Sequence, residues 1–374
     1  MATAFVSTPA LAPLAALAVA VALDLGLAEP PARVHPVALF GSIVGRSDRP
    51  WSRPRLVGIA VAIGLPLGAA GVSGGVVAAA ALVGPFVGVA VAGALLFTTV
   101  SLRMLLATTA EVVGLTESDP DAARNSIRAL AGRDATDLSP ADLRSAAVES
   151  AAENLADGFV APLCGFALGS TVGLAVGATD AIALGASGTG LPLVAGVAGA
   201  VWVKAVNTLD SMLGYRSKPV GWASARLDDA VMFLPARATA GCLALAAGSV
   251  ESVGALRRAA PWAAVPASPN SGWPMATAAA ALDVRLEKPD HYVLNPGASP
   301  PSVADAERAV RLVGVAGGLA VALATGWLAA AGWLAAAGWL AATEWLAATE
   351  WLAAVGWSLA AGCASTSPGV VGWL

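Results

Sequence analysis

Charge is scarce in this chain. Asp, Glu, Lys and Arg make up 12% of its 374 residues, where soluble domains carry roughly 25%. Hydrophobic residues make up 57% and the mean hydropathy is +0.73. Together these values exclude an ordinary soluble domain and indicate a membrane protein. Cysteine is also scarce: Cys164, Cys242 and Cys363 lie far apart in apolar runs without CxxC spacing. That pattern argues against a disulfide framework or a zinc site. The net charge of −4 lacks the basic footprint of a nucleic-acid partner. No GxxxxGK[ST] loop, GxGxxG after a strand, HExxH or GxSxG is present, so the enzyme classes those motifs mark lose their sequence support.

The charge that exists is clustered. All 21 Lys and Arg fall in four blocks, at residues 33–55, 103–144, 204–237 and 257–311. Residues 56–102 are uncharged and long enough for two helices of about 20 residues, with a turn predicted near residues 71–75. Residues 159–203 hold only Asp180 and again fit two spans. Two spans return the chain to its starting side, so the first three blocks share one side. The positive-inside rule makes that side the cytoplasm. Residues 238–250 are too short to span and are expected to form a re-entrant or buried segment, leaving block four cytoplasmic too. Residues 11–27 lack a basic flank and are predicted to be an uncleaved first span with the N-terminus outside. Asp24, near its inner end, is either functional or snorkelling to the interface.

The predicted fold is therefore all-α. It is a multipass integral protein of the cell membrane, with cytoplasmic loops and short helices forming a polar layer. Residues 1–311 are read as the body and 312–374 as a C-terminal membrane helix and tail. From Gly326 the tail repeats GWLAAA-like hexads. Six residues advance a helix by 600°, so the tryptophans ring it and form no binding stripe. Glu344 and Glu350 suggest that the tail leaves the hydrocarbon beyond about Thr343.

The chain is organised around residues 145–162, SAAVESAAENLADGFVAP, read as the end of a helix begun by Ser139, Pro140 and Asp142. Glu149, Glu153 and Asp157 fall at i, i+4 and i+8 on one face, with Gly158 as the expected C′ residue. Three stacked acids repel, and a divalent cation or a basic partner would relieve that; a solvated acidic face is the alternative. Residues 117–133 are predicted to be a helix opened by Asp119-Pro120 and closed by Gly132. Its Arg124 and Arg128, with Arg133, either pair with the acidic face or hold phosphate. In the proline-rich loop at residues 29–36, His35 is a ligand, a base or a hydrogen-bonding loop residue. The basic residues 46–55 are expected to face anionic headgroups.

In block three, Asn207, Asp210 and Ser211 cluster at helical spacing. Asp228 and Asp229 point about 100° apart, so at most one faces a site and the other is free to hold an arginine such as Arg226. Paired carboxylates near Arg and Lys suit Mg²⁺ with phosphate. Residues 268–274, SPNSGWP, form a turn before a helix predicted at residues 275–286. Asn270, Ser271 and the helix-start amides either bind an anion or make a rigid turn. His291 and Tyr292 are placed in a polar loop.

Four stretches, LDLGLAEPPARVHPV, AAVESAAENLADGFVAPL, NTLDSMLGYRSKPVGWASARLDDAVMFLPARATA and SPNSGWPMATAAAALDVRLEKPDHYV, resemble the CobD/CbiB family, adenosylcobinamide-phosphate synthase of cobalamin biosynthesis. The resemblance covers about residues 20–295. Two departures stand out: Ala28-Glu29-Pro30 replaces Gly-Asp-Pro, and Met275 stands where many members carry Glu. The resemblance implies an ATP-dependent ligase joining cobyric acid to (R)-1-amino-2-propanol or its O-phosphate. On that reading Glu149, Glu153 and Asp157, with Asp228 or Asp229, surround Mg²⁺ and nucleotide. Arg226, Arg216 and Lys218 hold phosphate. Asn154, Asn207 and Asn270 bind amides of the corrinoid substrate, and His35 is the base. Tyr215, Arg237, Ser268 and Trp273 complete the substrate-contacting set. Membrane lipid and other cobalamin-biosynthesis enzymes are the implied partners. A multipass transporter, an intramembrane Mg²⁺-dependent transferase and a membrane scaffold are the competing readings.

The topology has a direct test. A single cysteine placed within residues 117–144 should resist an impermeant maleimide in intact cells and react after permeabilisation; labelling from outside would overturn the orientation.

Overall fold

A computed structural model of the chain describes residues 10–27, 29–31, 33–130, 135–184, 190–248 and 252–364. Gly132 and Arg133 lie outside this set, as do the side chains of Asp180, Glu344, Glu350 and Cys363. The described chain is almost wholly helical: α1 (Ala12–Gly26), α2 (Pro36–Gly45), α3 (Pro54–Val83), α4 (Pro85–Phe97), α5 (Leu102–Ser118), α6 (Pro120–Ser126), α7 (Pro140–Leu155), α8 (Ala161–Leu184), α9 (Leu191–Leu213), α10 (Trp222–Val231), α11 (Phe233–Ala246), α12 (Ser252–Ala263), α13 (Gly272–Leu282) and α14 (Val303–Ala364). Five helical stretches are long and apolar enough to cross a membrane: Pro54–Val83, Pro85–Ser118, Pro140–Gly177, Leu191–Leu213 and Val303–Ala337. The protein is an all-α multipass membrane protein.

The paired spans follow the charge gaps, with corrections. The turn in the first gap is not at residues 71–75. α3 runs unbroken through those glycines and ends at Gly84, where Pro85 opens α4. Small residues are tolerated inside membrane helices because they let neighbours approach; Gly74 faces Val194 and Ala198 of α9. Helix α1 has 15 residues, short of the ~20 a span needs, and instead packs its Ala16 and Val19 against Gly93 of α4. The segment after block three continues α11, which meets α10 of that block at 47°.

α8 and α9 make the tightest approach. Gly165 faces the carbonyl of Gly199, Gly169 that of Ala195, and Gly173 that of Leu191. The four-residue spacing of these glycines puts one bare stripe on α8, and α9 answers with Gly196 and Gly199. The helices are antiparallel and backbone meets backbone. α9 also packs on α3, α10, α2 and α4, which makes it the central strut. α14 lies against α8, α11, α5 and α7, pinned by Trp327 Nε1 donating to Thr171 Oγ1 at 3.0 Å.

Several elements of the polar layer depart from their predicted form. Residues 117–130 are not one helix: α5 ends at Ser118, and Asp119 caps a new helix by accepting the Ala122 N–H. α13 begins at Gly272, not residue 275, since Pro274 is tolerated in a first turn. It ends at Leu282 because Asp283 adopts a left-handed φ of 54°. The loop holding His291 and Tyr292 is a small antiparallel hairpin, β1 (Leu286–Lys288) with β2 (Tyr292–Leu294).

The glycine stripe predicts a contrast. A Cβ at Gly165 would stand 2.6 Å from the Gly199 carbonyl, whereas one at Gly64 meets nothing within 4 Å. Gly165→Ala should destabilise by about 1–3 kcal/mol through overpacking. Gly64→Ala should be neutral or stabilising, and apparent melting temperatures of the two purified variants check this.

Candidate functional site

The site begins with a proline. In a regular helix the carbonyl of Gly158 would accept from residue 162, but Pro162 has no N–H and its ring crowds that carbonyl. The chain responds with a π-turn, Ala156–Val160, in which the Ala161 N–H reaches Ala156 O. Such turns concentrate at functional sites. The spare Gly158 carbonyl accepts the Ser101 N–H at 3.1 Å. Gly158 is thus an internal residue of a continuous helical stretch, not its C′ residue. α7 opens as expected, with Ser139 and Asp142 forming a reciprocal capping box.

The π-turn aims Asp157 at α9, where it meets Asn207 and Lys204. Asn207, only 7% exposed, presents its side-chain amide to Asp157 and to Asp228 on α10. Asp210, one turn beyond Asn207, shares the electrostatic field of Asp157, Asp228 and Asp229. On the opposite side, Lys204 also feels Glu29. Glu29 accepts a hydrogen bond from Ser101 Oγ, which returns the network to the π-turn. Three aspartates, Asp157, Asp210 and Asp228, thus gather near one amide and one ammonium. Among the described residues, Asp228 Oδ1 is buried without a hydrogen-bond partner. A lone buried carboxylate oxygen is costly, so it marks a place for a ligand.

The predicted acidic stripe is divided. Glu149 is fully buried and faces away from this cluster, accepting from Ser145 Oγ and Tyr292 OH, both at 2.9 Å. Met275 Sδ lies 3.5 Å from the same Tyr292 hydroxyl. Glu153 is half-buried on α7. Among the described residues no three His, Cys, Asp or Glu side chains are grouped to hold a metal. A cation bound here would rest on one or two carboxylates, with its remaining ligands from phosphate or water, which is how Mg²⁺ is ordinarily held.

Other predicted residues have structural employment. His35 Nδ1 accepts from the Val37 N–H at 3.2 Å, capping α2. Its Nε2 sits 3.9 Å from Glu29 Oε2. With Nδ1 accepting, the neutral ring carries its proton on Nε2 and has no lone pair left for a substrate. Asp229 takes Arg226 at 3.6 Å, so the two adjacent aspartates divide as their angular separation predicts. Lys218 is held by Asp48 at 2.7 Å and stacks near Tyr215; Tyr215 and Arg216 are exposed. Arg124 binds Leu138 O and Asp121, and not the acidic face. Asn154 Nδ2 donates to Leu130 O at 2.9 Å.

The loop before α13 is a hydrogen-bonded turn that supports the site. Asn270 donates to Asp229 O at 2.8 Å and accepts from Arg237, whose guanidinium lies over Phe233 and near Trp273. Ser268 Oγ accepts the amides of Asn270 and Ser271. These contacts anchor the end of α10, and with it Asp228. Sequence reasoning assigned no role to Lys204 or Ser101 and left Glu29 as a conserved-in-type carboxylate of the loop. No local signal joins them; only the fold does.

The profile of the family described as CobD/Cbib protein matches residues 17–313. Curated relatives agree. A probable cobalamin biosynthesis protein CobD of Methanothrix thermoacetophila is 33% identical over 324 residues, covering 83% of this chain and 95% of its own length. The cobalamin biosynthesis protein CobD of Klebsiella pneumoniae is 35% identical, covering 84% and 98%. That of Mycobacterium tuberculosis is 38% identical, covering 75% and 85%. No solved structure matches the chain.

Asn270→Ala would take the side-chain donor from the Asp229 carbonyl and leave Arg237 with only the Phe233 and Pro269 carbonyls. It should lower stability by about 1–3 kcal/mol, the range for orphaned buried polar groups, read as loss of monodisperse protein on heating in detergent. The match extends from within α1 to the first turns of α14, and the chain belongs to the CobD/CbiB family.

Proposed function

We propose that the chain is a membrane-bound enzyme of cobalamin biosynthesis that forms an amide between a corrinoid carboxylate and an amino alcohol. The carboxylate is a propionate side chain of cobyric acid, and the amine is (R)-1-amino-2-propanol or its O-phosphate. The observation that carries this reading is the cluster of Asp157, Asp210 and Asp228 around Asn207, with the unpartnered Oδ1 of Asp228. Family membership supports a step of cobalamin biosynthesis, and the amide-forming reaction is the part proposed here.

A carboxylate is a poor electrophile, and its oxygen has to leave in an activated form. ATP and Mg²⁺, when bound, supply that activation and the shielding of phosphate charge. The donor set fits them: hard oxygen ligands, two of them steered by one amide, with an orphaned oxygen among them. Asp157 and Asp228 are the residues that would hold the cation. Asn207 fixes both carboxylates in orientation, so little reorganisation is needed when charge develops. Lys204 offsets the negative field from the Glu29 side.

The amine arrives as an ammonium and has to lose a proton before its lone pair attacks the carbonyl carbon. Glu29, held by Ser101 and backed by His35, is the better-placed acceptor, because the His35 ring is spent on its cap and on Glu29 itself. Arg216, which is exposed, is the cation best placed to reach substrate phosphate; Arg226 is exposed as well but takes Asp229. Lys218 is less suited, being committed to Asp48.

The test is the reaction itself: purified protein, cobyric acid, aminopropanol phosphate, ATP and Mg²⁺, with product detected by mass and each component omitted in turn. Asp228→Asn should cut product formation about 10²-fold or more, the scale of losing a preorganised charge contact. Asp121→Asn, on exposed α6, should leave it unchanged. Amide formation that survives Asp228→Asn would remove the carboxylate cluster from the proposal.

A further inference from the structure

Beside the acid cluster lies a cavity that the proposed reaction leaves unused. It encloses about 440 Å³ between α2, α3, α4 and α9, within the usual size range of ligand pockets. Its long wall on α3 runs from Gly64 to Val76, about 18 Å at 1.5 Å per residue. Lys204 lines its polar end. Its rim is apolar and open: Leu39 and Ile43 of α2, and Val72 and Val76 of α3, are all exposed. α3 and α9 are membrane-length helices, so this rim is continuous with the lipid-facing surface.

The wall chemistry selects the occupant. Four hydroxyls line the cavity, and each donates to its own helix: Ser73 to Ala70 O, Thr98 to Leu95 O, Thr99 to Leu96 O and Thr208 to Lys204 O. They show the cavity their methyl or methylene sides and offer it no free donor. The Lys204 charge is met by Asp157 and Glu29. Water gains nothing in such a space, since apolar cavities stay dry. We propose that the cavity is a binding site for one acyl chain of a membrane phospholipid, which enters laterally between α2 and α3. The chain fills the flank of the site behind Lys204 and leaves the headgroup outside at the interface.

Two glycines make the test clean. A Cβ at Gly64 or Gly68 meets nothing within 4 Å, so a leucine there enters the cavity without displacing backbone. Gly71, exposed on the same helix with equally open space, does not line the cavity and is the control. The full chain would be reconstituted in phosphatidylethanolamine–phosphatidylglycerol vesicles carrying a trace of phosphatidylglycerol with a diazirine on its acyl chain. After irradiation, peptides would be mapped by mass spectrometry. Label is expected on the inner wall, at Ala205 and Thr99, which lipid packed around the outer surface does not touch. That label should fall to background in Gly64→Leu and Gly68→Leu and persist in Gly71→Leu. Label confined to outward residues that do not line the cavity, such as Leu67, or inner-wall label unchanged by both leucines, would overturn the proposal. Neither readout depends on catalysis, so the result stands apart from the identity of the reaction.

Discussion

The structure depends on a backbone-to-backbone contact. α8 and α9 approach so closely that Gly165, Gly169 and Gly173 have carbonyls where side chains would be. Without a hydrophobic drive between helices inside lipid, this intimacy supplies the dispersion contacts that hold the pair. It also sets the chemistry. The residues just above the contact are Asp157 on one side, and Lys204 and Asn207 on the other, and their separation follows from how near the helices lie. A wider pair would leave Asp157 without its amide and ammonium partners.

Gathering aspartates at such a place has a cost, because like charges repel more strongly as water is excluded. The chain offsets it locally. The Asn207 amide lies beside two of the acids, Lys204 interacts with Asp157 and Glu29, and Arg226 takes the outward Asp229. What remains uncompensated is concentrated at Asp228. Around it the supporting contacts are redundant: Asn270, Arg237 and Ser268 tie the loop before α13 to the end of α10. The site is thus a strained polar centre on a rigid frame.

Much of this was legible because membrane insertion writes charge into blocks. The paired spans followed from residues 56–102 and 159–203, and the division of labour between Asp228 and Asp229 followed from helix geometry alone. The turn in the first gap was misplaced because Gly71 and Gly75 look like breakers in a soluble chain, whereas Gly84-Pro85 is the break. Strands of three residues, as in the β1–β2 hairpin, are too short to show alternation. The acidic stripe is divided between two surroundings: Glu149, in regular α7, meets Tyr292, whereas Asp157 lies in the π-turn that Pro162 imposes, a distortion the i, i+4, i+8 arithmetic leaves out. The alliance of Glu29, Ser101 and Lys204 is a product of packing between distant segments, and no local pattern encodes it.

The π-turn carries a consequence for how such a site changes over time. It holds one residue more than an α-helical turn between α7 and α8, and so uncouples their rotational phases. α8 is locked to α9 by its glycines, while α7 is free to present Glu149 to the β1–β2 hairpin. Deleting a single residue there would restore a straight helix and swing all of α7 by about 100°, moving Glu149 off Tyr292. The proline therefore works as a phase-setting insertion: it lets one continuous helical stretch serve two faces whose geometries need not agree, and it makes this the position where the chain is least tolerant of a change in length.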